Sequence, residues 1–365
     1  WVEALSIKVD YVQQLKHNNY STPPPFDDPT QEFLHKSSVW NCKTRRILNC
    51  RKFAFASYPN TSDDDDGKEQ QHHDHPCDLV ASALQKAFHV SSNMDATTNP
   101  HQLCDFLNST AKLKAINFNT TTLTEQERKA FFLNLYHLMV LHAYIILNPP
   151  NTVFKWSSYF NMISYQISND VFSLAELEHC IIRRDLKLCT PSTTLFWNRY
   201  ALPKSRYGFP FLKKKHQQQH QITRGGDYRF NFCLNCGSYS NPPDVPIYNH
   251  ETLEEQLDDY TRRYLNNAVT TARKDRKTIT VMLPKICQWY AADFGVSGAG
   301  RLAKTNYNKI LKAVMQYLSK EIRDELSMSL QQEKNNNGSG GGDGGGNVTV
   351  KFLSYEFRCR TVTRC

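Results

Sequence analysis

A thiol, an imidazole and a carboxamide or carboxylate are the side chains of covalent acyl chemistry, and the sequence offers such a set in Cys236, His179, Asn134 and Glu178. Cys236 ends a stretch in which Phe230, Phe232 and Leu234 alternate with Arg229, Asn231, Cys233 and Asn235, ahead of Gly237 and a Ser/Pro turn closed by Pro242 and Pro243. Alternation of period two running into Gly, Ser and Pro predicts a half-buried strand that delivers the thiol to a turn. On this reading Cys236 is the nucleophile, His179 its base, and Asn134 or Glu178 the group that orients the imidazole. A thiol titrates near 8.5 and needs an adjacent imidazole or cation to be a useful thiolate at neutral pH. Arg183 and Arg229 supply that charge or grip a substrate carboxylate through their planar two-point guanidinium, and His142 and Ser240 complete the substrate-binding candidates. The reaction class is hydrolysis or acyl transfer at an amide.

Two other chemistries compete for the same residues. His142, His179 and Cys236 are zinc-type ligands, but their spacing matches no named zinc motif, so no metal and no cofactor are expected. Cys233 and Cys236 form a Cys-x-x-Cys pair, whose sulfurs face opposite ways in a strand unless the turn intervenes. The non-catalytic alternative treats Asn134, His179, Arg183 and Arg229 as a buried polar network that fixes the fold of an interaction module.

The elements that must position these residues are mostly helical. Thr124 and Glu127 predict a capping box for a helix over 124–147, and Asn148-Pro149-Pro150 ends it. Its apolar residues occupy nearly every side, so it is expected to be buried. Ser173 and Glu176 predict a second capping box, leading a helix that carries Glu178, His179 and Arg183. At α-helical spacing His179 and Arg183 share a face, while Glu178 points about 100° away. Further helices are expected over 78–90, 250–274 and 307–330, with strands at 164–167, 278–283 and 348–357.

The chain has 365 residues, 40% of them hydrophobic, enough for one large or two medium domains. Its net charge of +9 is gathered largely over Lys204 to Arg224, a pattern read as a solvated loop rather than a nucleic-acid footprint. Eleven scattered cysteines argue against a disulfide framework and for a reducing compartment. The run Phe131 to Leu147 carries Asn134, His137 and His142 and is read as a core helix rather than a membrane span. Residues 1–77 are expected to be a partly disordered N-terminal region with a loose helix at 1–17 and an acidic, His-rich tract at 62–75. The folded domain is expected over 78–360, with low-complexity inserts at 204–224 and 331–346.

Several blocks in order resemble the DUF547 domain: Phe131-Phe132-Leu133-Asn134-Leu135-Tyr136, His142, Ser173-Leu174 with Leu177-Glu178-His179 and Arg183, Asp227-x-Arg229 through Leu234-Asn235-Cys236-Gly237-x-x-Ser240-x-Pro242-Pro243, Trp289-Tyr290-x-x-Asp293-Phe294 and Phe352-Leu353-x-Tyr355. His137 stands where the family usually has Asn, Phe132 where it has Trp, and Cys180 where it has Gly. The resemblance implies a fold more than a function, because the family has no assigned activity. Its members are often fused to glutaredoxin-like, DEP or coiled-coil regions, which implies a cytoplasmic module with a protein or peptide partner. The expected architecture is α+β, a helix-rich domain around a small, mostly antiparallel sheet.

Overall fold

The structure is a computed structural model that describes residues 45–50, 75–92, 100–116, 123–150, 152–167, 170–183, 227–273, 278–296, 307–336 and 348–365. The expected helix at 1–17, all but the last residue of the tract 62–75, and the basic and Gln-rich connection 185–224 lie outside these residues, as does the Gly-rich run from 337 to 347.

Strand β1 (Arg46–Ile47) precedes helices α1 (Pro76–Ser92), α2 (Pro100–Lys112), α3 (Glu125–Leu147) and α4 (Val153–Met162). Strands β2 (Ile163–Ile167) and β3 (Asp170–Ser173) follow, then the short helix α5 (Leu174–Glu176), which continues as a π-helical turn over Leu177–Ile182. After the single turn α6 (Phe230–Cys233) come β4 (Asp244–Val245), α7 (Leu253–Ala268), β5 (Thr270–Arg273) and β6 (Ile279–Leu283). The chain closes through α8 (Lys285–Trp289), a 3-10 turn at Ala291–Phe294, α9 (Asn308–Met315), α10 (Lys320–Asn336), β7 (Val348–Phe352) and β8 (Thr363–Arg364). This is a helix-rich α+β fold.

Helix α3 is the axis of the core. The Thr124 hydroxyl accepts a hydrogen bond from the Glu127 amide at 3.3 Å, and the Glu127 carboxylate accepts from the Thr124 amide at 2.7 Å, so the capping box forms as the sequence predicts. Every residue from Lys129 to Ile146 is buried. By length and composition α3 passes for a membrane span, but 94% of its apolar window is covered by the rest of the protein, so within the described fold it is a core helix. The second predicted box also forms, between Ser173 and Glu176. Glu176 additionally accepts from both terminal guanidinium nitrogens, Nη1 and Nη2, of the buried Arg45, so a piece of the N-terminal region packs into the domain at β1, parallel to β2.

The strands are distributed differently from the single sheet expected. Three small sheets form, in orders β1-β2-β3, β4-β8 and β5-β6-β7. Parallel pairs (β1 with β2, β4 with β8, β6 with β7) stand beside antiparallel ones (β2 with β3, β5 with β6), so the antiparallel majority is corrected. As expected, the segment after the Gly-rich run returns as β7 to pair with β6. Two helices differ in extent. The helix expected to reach 274 stops at Ala268, where extended Val269 leads directly into β5, and the one expected over 307–330 is broken at 316–319 into α9 and α10.

The larger correction concerns residues 227–243. The predicted strand is instead the helical turn α6 followed by tight turns. Asp227 starts it, its carboxylate accepting from the Arg229 amide at 3.0 Å while its carbonyl takes the Phe230 amide. Period two presumes one wet face, and here both sides of the alternation are buried, Asn231, Cys233 and Asn235 included.

Gly237 is indispensable to that turn. Its φ is +78°, and a Cβ there would lie 2.7 Å from the Arg360 carbonyl oxygen and 2.8 Å from a ring carbon of Tyr144. Both neighbours are pinned, since the Arg360 amide donates to the Gly237 carbonyl and the Tyr144 hydroxyl to the Cys236 carbonyl. Gly237→Ala is therefore expected to lower stability by about 2–4 kcal/mol from left-handed strain and overpacking. A urea midpoint within error of the parent would contradict this.

Candidate functional site

Four segments far apart in sequence converge around Glu178. Tyr136 comes from α3, Glu178 and His179 from the π turn, Cys236 from the turn after α6, and Tyr290 from the end of α8. The Tyr136 hydroxyl donates to one Glu178 carboxylate oxygen at 3.2 Å and the Tyr290 hydroxyl to the other at 3.5 Å. His179 Nε2 lies 3.9 Å from that second oxygen. The π turn is what makes this possible. The Arg183 amide bonds the Glu178 carbonyl, five residues back, at 2.8 Å, a π spacing that brings Glu178 nearer to the face of Arg183 than an α-helix would, while His179 stays within electrostatic reach of Arg183. Tyr290 accordingly receives both, Glu178 at its hydroxyl and the Arg183 guanidinium carbon 3.5 Å from its ring centroid. The α-helical expectation put Glu178 about 100° from the face of His179 and Arg183, and the π turn over Leu177–Ile182 narrows that separation.

Cys236 is closed off. It is 6% exposed, and its sulfur sits 3.5 Å from the Tyr355 hydroxyl and 3.3 Å from the Asn241 amide nitrogen. Burial pushes the thiol up to about 12, and neighbouring Cys359 adds to the rise while the Tyr355 bond opposes it. Burial also holds the His179 imidazole below its usual range, against the pull of Glu178 and reinforced by Arg183. Cys233 points elsewhere, toward the Leu257 carbonyl and Thr261, and both sulfurs are free thiols.

The remaining predicted residues are spread through the core. Asn134 clasps the backbone of Tyr248, donating to its carbonyl and accepting from its amide, each at 2.8 Å. His142 Nδ1 is 2.6 Å from the Tyr165 hydroxyl, with Phe106 packed edge-on against the ring. Arg183 pairs with the fully buried Asp293 at 2.9 Å. Arg229 gathers Asp227, Glu254 and Asp258. Burial alone would raise the Asp227 carboxyl, and Arg229 overrides it, holding the group below the usual carboxylate range. Ser240 accepts from the Glu356 amide at 2.7 Å and so anchors the C-terminal segment. Glu178 and His179 are thus brought together, with Cys236 within electrostatic reach of Glu178, whereas the contacts of Asn134, His142, Arg229 and Ser240 described above are with other parts of the core. Among the described residues no three His, Cys, Asp or Glu side chains form a metal-ligating group, and His142, His179 and Cys236 do not converge.

Asn134→Ala leaves two buried backbone groups of Tyr248 without partners. It is expected to lower stability by about 2 kcal/mol, read as a fall in the thermal midpoint. An unchanged midpoint would mean that water replaces the side chain.

Sequence reasoning missed Tyr136, Tyr290 and Tyr355 as site residues, although all three lie in the quoted blocks. Their aromatic character reads as core, and nothing local marks a phenol that will meet a carboxylate 42 or 112 residues away.

No curated protein and no solved structure matches the chain. Residues 120–265, which include α3, the π turn and the Cys236 turn, match the family model described as "Protein of unknown function, DUF547", and this segment of the chain is a DUF547 domain.

Proposed function

We propose that the domain is a non-catalytic protein-interaction module, held in shape by its buried polar network and working in the cytoplasm, where its thiols stay reduced. The observation that carries this reading is the sealed Cys236, 6% exposed with its thiol pushed up to about 12. At pH 7 such a group is a thiolate in about one molecule in 10⁵, against a few per cent for an ordinary cysteine. The clasp of Asn134 on Tyr248 and the cluster around Arg229 account for those polar residues without a substrate.

A thiol-dependent hydrolase or acyltransferase is the second reading. It is favoured by one feature, the position of Glu178 3.9 Å from the His179 imidazole and within electrostatic reach of the Cys236 thiol. Brief labelling of the native protein with iodoacetamide at pH 7, quantified for each cysteine by peptide mass spectrometry, separates the two. The module reading expects exposed Cys365 to label early and Cys236 among the last. Preferential labelling of Cys236 would favour the enzyme.

A further inference from the structure

Helices α1 and α2 and strand β8 line an open cleft of about 580 Å³, remote in sequence from Glu178 and Cys236. Its volume is in the range of ligand-binding clefts. The buried Phe88 and Val90 of α1 give it an apolar floor. Its rim is charged. Lys86 on α1 and Asp105 on α2 neutralise each other at 2.9 Å. Arg364, exposed on β8, has no carboxylate partner among the described residues, so the rim carries an uncompensated positive charge.

The backbone of β8 adds a second means of recognition. The Thr363 and Cys365 amides donate to the Pro243 and Val245 carbonyls at 2.9 and 3.1 Å. Successive amides of a strand point to opposite sides, so the Arg364 amide and carbonyl face away from β4, along the edge that no described strand covers. Such an edge takes up an extended segment as a further strand through main-chain hydrogen bonds. Side chains of that segment alternate in direction. Apolar ones can then settle on Phe88 and Val90 while acidic ones meet Arg364, whose guanidinium grips a carboxylate at two points. A basic segment would meet Arg364 with like charge. A nucleic-acid strand would leave the apolar floor unfilled and set its phosphates against Asp105.

We propose that the cleft between α1, α2 and β8 receives an extended acidic segment of the partner protein, laid along the outer edge of β8 with a carboxylate on Arg364. This rests on the interaction-module reading and names the docking surface and the partner chemistry. The Arg364 contact is exposed, so binding weakens as salt rises.

The test titrates the intact protein into a fluorescein-labelled peptide of alternating Val and Glu, its Val and Gln counterpart, and a labelled single-stranded oligothymidine, each followed by fluorescence anisotropy. The Glu peptide is expected to saturate with a Kd on the order of 0.1 mM, and the Gln peptide and the oligothymidine to bind at least about tenfold more weakly. Arg364→Glu is expected to weaken the Glu peptide at least about tenfold, the loss of a charge-assisted contact. Arg262→Glu makes the same charge change at an exposed position of α7 outside the cleft and is expected to stay close to the parent. Failure of the Glu peptide to saturate, equal binding of the Gln peptide, tighter binding of the oligothymidine, or Arg364→Glu that binds like the parent or like Arg262→Glu would each overturn the proposal. The peptide comparison needs no variant, so it decides even if Arg364→Glu does not fold. Preferential labelling of Cys236 would overturn the module reading itself. Failed titration with slow labelling would overturn only this docking surface.

Discussion

Asp293→Ala is expected to destabilise the protein by about 3–5 kcal/mol, the largest effect of any single substitution considered. Asp293 is fully buried, and its carboxylate accepts from the Arg183 guanidinium at 2.9 Å and from the Asn231 amide at 3.0 Å. Removing it leaves the guanidinium, itself 3% exposed, without that counter-charge in a medium that solvates it poorly. Urea unfolding reads the change as a lower midpoint at unchanged slope. The double variant Arg183→Met with Asp293→Ala is expected to recover part of the loss, because the stranded charge goes as well. A single-variant loss below about 1 kcal/mol would mean that water reaches Arg183, and the buried network would then not be what fixes the end of the π turn against the 3-10 turn at Ala291–Phe294.

Acid is expected to weaken the fold well above the range where carboxylates titrate. Burial lowers the imidazoles of His137 and His142 to about 3, whereas in the unfolded chain they titrate near 6.5. Between those values the unfolded state holds more protons than the folded one, so stability is complete above about pH 6.5 and falls as the pH drops toward 3. At pH 5 each histidine removes about 2 kcal/mol, so the pair removes about 4. His179 is shifted in the same direction and adds to the loss. Asp227 acts lower down, since its depressed carboxyl stabilises the fold above its unfolded value and that share fades only as the pH falls below about 4. Urea midpoints at pH 7.5 and pH 5 measure the histidine effect. Equal midpoints would show that both rings gain protons in the folded state, and a loss of about half would show that one does.

What the sequence made legible was local. Thr124 with Glu127 and Ser173 with Glu176 lie three residues apart, so the hydrogen bonds that start two helices are written within a single turn of chain. Strands β2 and β6 and the burial of α3 followed from short apolar patterns in the same way. The stretch 227–243 was misread because alternation carries information only when one face meets water, and Asn231 and Asn235 are buried among partners of their own. Helix α7 was read too long because Val269 continues its apolar rhythm, although the backbone has already turned extended. The site was half legible. Glu178, His179 and Cys236 were singled out by type, but the π turn that aims Glu178 at Tyr290 has no local signature, and the partners that define their roles arrive from remote segments. Asn134 reaches Tyr248, Arg183 reaches Asp293 and Cys236 reaches Tyr355, each more than a hundred residues away.

The central claim is that Cys236 is a sealed, protonated thiol. Its most direct test is the rate of iodoacetamide alkylation of Cys236 from pH 6 to 10, followed by peptide mass spectrometry in the native protein and in His179→Ala. The account predicts slow labelling that rises across the whole range without levelling, as it must for a thiol titrating near 12, and that is indifferent to His179. Rapid labelling with an apparent pKa well below 8.5, shifted upward when His179 is lost, would contradict it and establish an activated Cys-His pair.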